Sequence, residues 1–93
     1  MHAFAYPITL TRSNAPGVGF VAACRDLPSL HAEGVTLSDA FLQAEEALDG
    51  LLTTLLIAHI CPAKPSPKRS DEYWAQPSQE TLALLMEYFG PLP

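Results

Sequence analysis

Acidic side chains are the residues of this chain whose type and spacing best suit chemistry. Asp26 and Glu33 flank apolar, alternating stretches, and Glu45, Glu46 and Asp49 follow close together. A two-metal nuclease centre gathers several such carboxylates onto Mg²⁺ from neighbouring elements. Glu45 and Asp49, four residues apart, share one face of a helix, while Glu46 points elsewhere. No third acid falls on the inward side of a central strand, so a solvated helix face is the plainer expectation. His2, His31 and His59 are spread over a terminus, a strand and a helix end, with no acid or cysteine at metal-ligand spacing. A protonated His59 suits the negative end of a helix. Cys24 lies in an apolar stretch, where burial raises a thiol pKa, so no Cys–His nucleophile is expected. Five dispersed glycines make no phosphate loop. The expectation is no catalytic residue, no metal and no cofactor.

The elements that position these groups belong to one small domain. The chain has 93 residues, 10 acidic against 5 basic side chains, and a formal net charge of −5. It is 48% hydrophobic and 16% charged, a balance that supports a folded core over disorder. A core this small is marginal alone, so oligomerisation is expected. The apolar stretch from Leu51 to Ile60 is interrupted by Thr53, Thr54 and His59, and falls short of the roughly 20 residues of a membrane span. The beginning of the chain shows no basic segment leading into an apolar run, so no secretory leader is expected. Cys24 and Cys61 have no metal-ligand spacing, and a reduced cytoplasmic setting follows as the expectation. The acidic balance disfavours sequence-independent nucleic-acid binding and favours a basic protein partner.

Three stretches differ in pattern. In the first, Phe4, Tyr6, Ile8 and Leu10 alternate with smaller residues, as do Val18, Phe20, Ala22 and Cys24 after the turn cluster Arg12 to Gly17. The alternation predicts an antiparallel hairpin, followed by a third strand from Leu30 to Glu33. Pro7 has no amide to give a ladder, which predicts an outward-facing position or an edge strand. Thr36, with Asp39 three residues on, predicts a helix start. Leu37, Phe41, Ala44, Leu48, Leu51 and Leu55 then mark one helical face. The stripe widens to include Leu52, Leu56 and Ile57, which are the expected oligomer contacts. Residues 61–70 hold three prolines and three of the five basic residues, Lys64, Lys68 and Arg69, and predict a stiff linker with exposed charge. A short strand around Tyr73 and Trp74 follows, then a helix from Gln79 to Phe89 capped by Ser78. The fold class is α+β, in the order β-β-β-α-(β)-α: an antiparallel sheet of three or four strands, one long helix packed on it and a C-terminal helix. A core over 1–60, a Pro-rich basic linker over 61–70 and a strand with helix over 71–93 form a single domain.

The order of these motifs resembles the HicB family, the antitoxins of bacterial and archaeal HicAB toxin–antitoxin pairs. The matching residues are Tyr6-Pro7, then Gly17 and Gly19, then Asp26-Leu27-Pro28. Gly34, Thr36 and the helix alanines Ala40, Ala44 and Ala47 follow, and Pro62-Ala63-Lys64-Pro65-Ser66 closes the pattern. The resemblance covers residues 3–67. It implies a partial RNase H-like fold without the nuclease's full set of acids. It also implies a partner, a small basic HicA-type toxin that cleaves mRNA, whose active site the antitoxin covers. Asp26 and Glu33 are then the acids expected to face that toxin. Family members often form dimers or tetramers, so a homodimer or homotetramer is expected. Many carry a C-terminal helix-turn-helix or ribbon-helix-helix module. Residues 68–93 have room for a strand and one helix, and either module needs two helices, so self-contained DNA binding is not expected. Two other readings are an orphan HicB-like interaction module without a toxin, and a minimal metal-dependent nuclease using Asp26, Glu45 and Asp49.

Overall fold

The computed structural model describes residues 4–90. Strands β1 (Tyr6–Arg12), β2 (Phe20–Cys24) and β3 (His31–Gly34) precede the long helix α1 (Leu37–Ile57). Strand β4 (Tyr73–Ala75) and helix α2 (Gln79–Phe89) follow the Pro-rich segment. The four strands pair antiparallel in the order β3-β2-β1-β4, so the last strand closes onto the first. The α+β architecture is the one the sequence pattern predicts. His2 and the Pro91 stop lie outside the described residues.

The position of β1 corrects one expectation. It is a central strand, and Pro7 on it is fully buried. Ser13 donates its amide to the Gly19 carbonyl at 2.9 Å, which makes that a hydrogen-bonded pair. Bonded and non-bonded pairs alternate along an antiparallel ladder. Thr9 and Thr11 therefore aim their amides at β2, while Ile8, Leu10 and Arg12 aim theirs at the β4 side. By the same count the Pro7 nitrogen faces β2, where the ladder has already ended at the Ile8–Cys24 pair. Proline is tolerated there because no bond is lost.

Helix α1 starts where the sequence places it. The Thr36 hydroxyl accepts from the Asp39 amide at 3.0 Å, and the Asp39 carboxylate accepts from the Val35 amide at 3.0 Å. Its C-terminus closes with His59 at φ 60, as Ile60 donates to the Leu55 carbonyl and His59 to the Leu56 carbonyl. That is a Schellman arrangement with histidine in the left-handed position usually held by glycine. The His59 ring lies 5.2 Å from Tyr88 of α2, whose hydroxyl it meets through Nδ1.

The buried line along α1 runs through Ala40, Ala44, Leu48 and Leu52. Phe41, Leu51 and Leu55 flank it half-buried, and Leu37 is 40% exposed. The helix is thus rotated from the stripe of large residues expected from the sequence. Gly34 explains the rotation. A Cβ at Gly34 would overlap the backbone of Ala40, so helix and sheet touch closest where both residues are small. Phe4, Tyr6, Ile8, Ala22, Cys24 and Ala32 fill the sheet side of the core.

Residues 61–69 have no regular structure, yet they are fastened down. The Tyr6 hydroxyl donates to the Ala63 carbonyl at 2.6 Å, and Arg25 donates to the Pro67 carbonyl at 2.6 Å. The Asp26 carboxylate accepts from both the Ser66 amide and its hydroxyl, at 2.8 and 2.5 Å. The stretch expected to be a linker is a strap that carries the chain from α1 to β4.

Candidate interaction surface

Asp26 sits at the end of β2 and is half-buried by the strap it holds. Both of its carboxylate oxygens are occupied by Ser66. Glu33 stands apart on the outer strand β3, exposed, with His31 at 3.2 Å. The structure does not bring these two acids together on one contact. Asp26 organises the strap, and Glu33 faces solvent.

The acids of α1 are also tied to backbone. Glu45 accepts from the Gln76 amide at 2.9 Å and Asp49 from the Ser78 amide at 2.8 Å. Burial opposes ionisation of Asp49, but the Ser78 amide and the hydroxyls of Thr81 and Ser78 outweigh it and hold its pKa below the ordinary value. Asp26 therefore serves the strap at Ser66, while Glu45 and Asp49 serve the connection from β4 to α2 at Gln76 and Ser78. Among the described residues no group of three or more His, Cys, Asp or Glu side chains is placed to hold a metal ion.

The sequence reading missed the strongest polar contact. Glu72, 4% exposed, binds the Arg25 guanidinium through both oxygens, at 2.8 and 2.9 Å, and also takes the Arg69 amide at 2.8 Å. The hydrogen bond from Arg25 is the main reason its pKa is held down at about 2. No local spacing announces a pair 47 residues apart. Burial raises the Cys24 thiol, consistent with an inert, small apolar side chain. Burial likewise pushes the Tyr6 hydroxyl far up, with Cys24, Asp26 and Cys61 adding to it.

Charge is sorted between the two layers. Helix α1 carries Asp39, Glu45, Glu46 and Asp49, and α2 carries Glu80 and Glu87. Neither helix contains a lysine or arginine; all five lie on β1, on the β2 end and on the strap. An acidic groove of about 630 Å³ lies between α1 and the connection that enters α2, lined by Leu42, Glu45, Glu46, Asp49, Gln76 and Ser78. Leu42 also borders an apolar groove of about 380 Å³ between α1 and the sheet, formed with Leu10, Leu37, Phe41 and Tyr73.

Of the expected oligomer contacts, Leu52 is fully buried in the core and is removed from any surface. It lies on the same line as Ala44 and Leu48, covered by the sheet. Leu56 is half-buried and Ile57 is 74% exposed. Ile60, Leu84 and Tyr88 are also exposed large side chains at that end of the molecule. No helix of the described residues is long and apolar enough to cross a membrane.

A small α+β domain in which Asp26, Glu45, Asp49 and Glu72 fasten its own chain, and whose helices carry acids but no lysine or arginine, has the surface of a protein-binding module. The chain belongs to the HicB-like antitoxin family: the family model described as HicB_like antitoxin of bacterial toxin-antitoxin system matches residues 5–77. That match covers β1 through β4 and ends just before the cap of α2. No curated protein matches the chain.

Proposed function

We propose that this chain neutralises a small basic toxin of the HicA type, an mRNA interferase, by covering its active site. The observation that supports the reading is a helical layer without a single basic side chain in a member of an antitoxin family. Opposite potentials steer association and disfavour wrong partners. Glu33, exposed on β3, faces the toxin, and Asp26 contributes by holding the strap. The sheet and helices are a partial RNase H-like fold that serves binding, with no cofactor and no catalysis of its own. The protein acts in the cytoplasm as a homodimer or homotetramer, with Leu56 and Ile57 in the contact between copies.

The test is co-expression with a small basic HicA-type toxin, sought in the reading frames that flank this chain's gene. Relief of growth arrest, recovery of a stoichiometric complex and loss of RNA cleavage by the purified toxin are the expected results. A toxin that stays active and elutes alone would refute the proposal. With Asp26, Glu45 and Asp49 each holding a separate backbone amide, no observation favours a metal-dependent nuclease.

A further inference from the structure

Strand β1 is longer than its partner β4. The β4 ladder pairs only Tyr6, Pro7 and Ile8, because the chain enters β4 from the strap at Tyr73, opposite Ile8. Leu10 and Arg12 aim their amides and carbonyls at that side, by the alternation derived above, and find no partner among the described residues. Two donors and two acceptors are left in a row in line with β4. Unpaired edges of this kind are templates for another strand.

The space beside this edge is already shaped. Residues directly opposite in an antiparallel pair point to the same face. The residue opposite Leu10 would therefore point toward α1, into the apolar groove formed by Leu10, Leu37, Phe41, Leu42 and Tyr73. Past Leu42 that groove meets the acidic one at Glu45, Glu46 and Asp49. The slot thus combines backbone pairing, one apolar pocket and a negative rim.

We propose that the open edge of β1 at Leu10 and Arg12 is a docking slot for an extended segment of the basic toxin, which extends the sheet in line with β4. The segment places an apolar side chain in the groove and lysine or arginine against the acids of α1. The inference rests on the antitoxin reading and adds where and how the partner sits. Charge favours the basic toxin as the occupant, because the rim carries Glu45, Glu46 and Asp49 and no lysine or arginine, while a second copy of this chain carries a net charge of −5.

The experiment is residue-resolved amide hydrogen exchange on the full chain, alone and saturated with the co-expressed toxin. In the free protein Leu10 and Arg12 exchange faster than Thr9 and Thr11, which are bonded to β2. In the complex they slow by roughly tenfold or more. Leu42→Lys, a change at an exposed position, weakens toxin binding by about tenfold and leaves Thr9 and Thr11 unchanged. A complex that forms with Leu10 and Arg12 still exchanging freely overturns the slot and leaves the antitoxin reading standing. Failure of the wild-type chain to bind the toxin at all overturns both. Protection of the two amides in the free protein, rising with its concentration, assigns the slot to a second copy and also overturns the proposal.

Discussion

Glu72 is held by two bonds from Arg25 and one from the Arg69 amide, all favouring its ionised form. Its pKa falls from an ordinary 4.5 to about 2 in the folded chain. A carboxylate depressed on folding stabilises the protein above its unfolded pKa, and that contribution is lost as pH drops toward the folded value. Stability measured by urea unfolding should therefore fall between about pH 5 and pH 2, and Glu72→Gln should flatten this part of the profile while lowering stability at pH 7. An unchanged slope in the variant would remove Glu72 from the acid response. At this scale the sequence is legible only where partners are close along the chain. Thr36 with Asp39 and Ser78 with Thr81 are caps visible three residues apart. The Arg25–Glu72 pair and the Asp26–Ser66 clasp span 47 and 40 residues, and nothing local distinguishes these acids from solvated ones.

Among the elements, the strap behaves least as its composition suggests. Prolines and exposed cations read as a spacer, yet Tyr6, Arg25 and Asp26 clamp it at three places. Loosening the clasp should therefore open it. Asp26→Asn weakens the acceptor for the Ser66 amide and hydroxyl by about 1 kcal/mol. The variant should be cut by trypsin after Lys68 and Arg69 roughly 5-fold faster than the parent, as expected when local opening is easier. Equal cleavage rates would show that Asp26 does not hold the strap. The strands and both helices were readable because apolar periodicity is local. The rotation of α1 was not, because reading favours large side chains while Gly34 and Ala40 set the closest approach. That error also put Leu52 on a surface when it belongs to the core. Pro7 misled for a related reason: the rule against proline in a central strand concerns its missing amide, and here that amide would have had nothing to meet.

The whole molecule separates its charge, with acids alone on the helices and every cation on the sheet and strap. Composition announces the excess of acid, but its arrangement emerges only once the helices share a side. The same view isolates an apolar end around Ile57, Ile60, Leu84 and Tyr88. If copies meet there, sedimentation at low micromolar concentration gives a species heavier than one chain, and Ile57→Glu returns it to the monomer. A parent protein that sediments as a monomer counts against the assembly, and an oligomer untouched by the substitution places the contact elsewhere. The closure of β4 onto β1 adds a consequence in time. Ribosomes extend a chain at about 5–20 residues per second, and Tyr73 is made long after its partner Ile8. For roughly one to three seconds, between the making of Ile57 and of Tyr73, the nascent chain can hold β1, β2, β3 and α1 while the entire flank of β1 from Tyr6 to Arg12 stands open. The newborn chain thus offers a longer free flank than the folded one, and β4 shortens it to two residues once Tyr73 to Ala75 have been made.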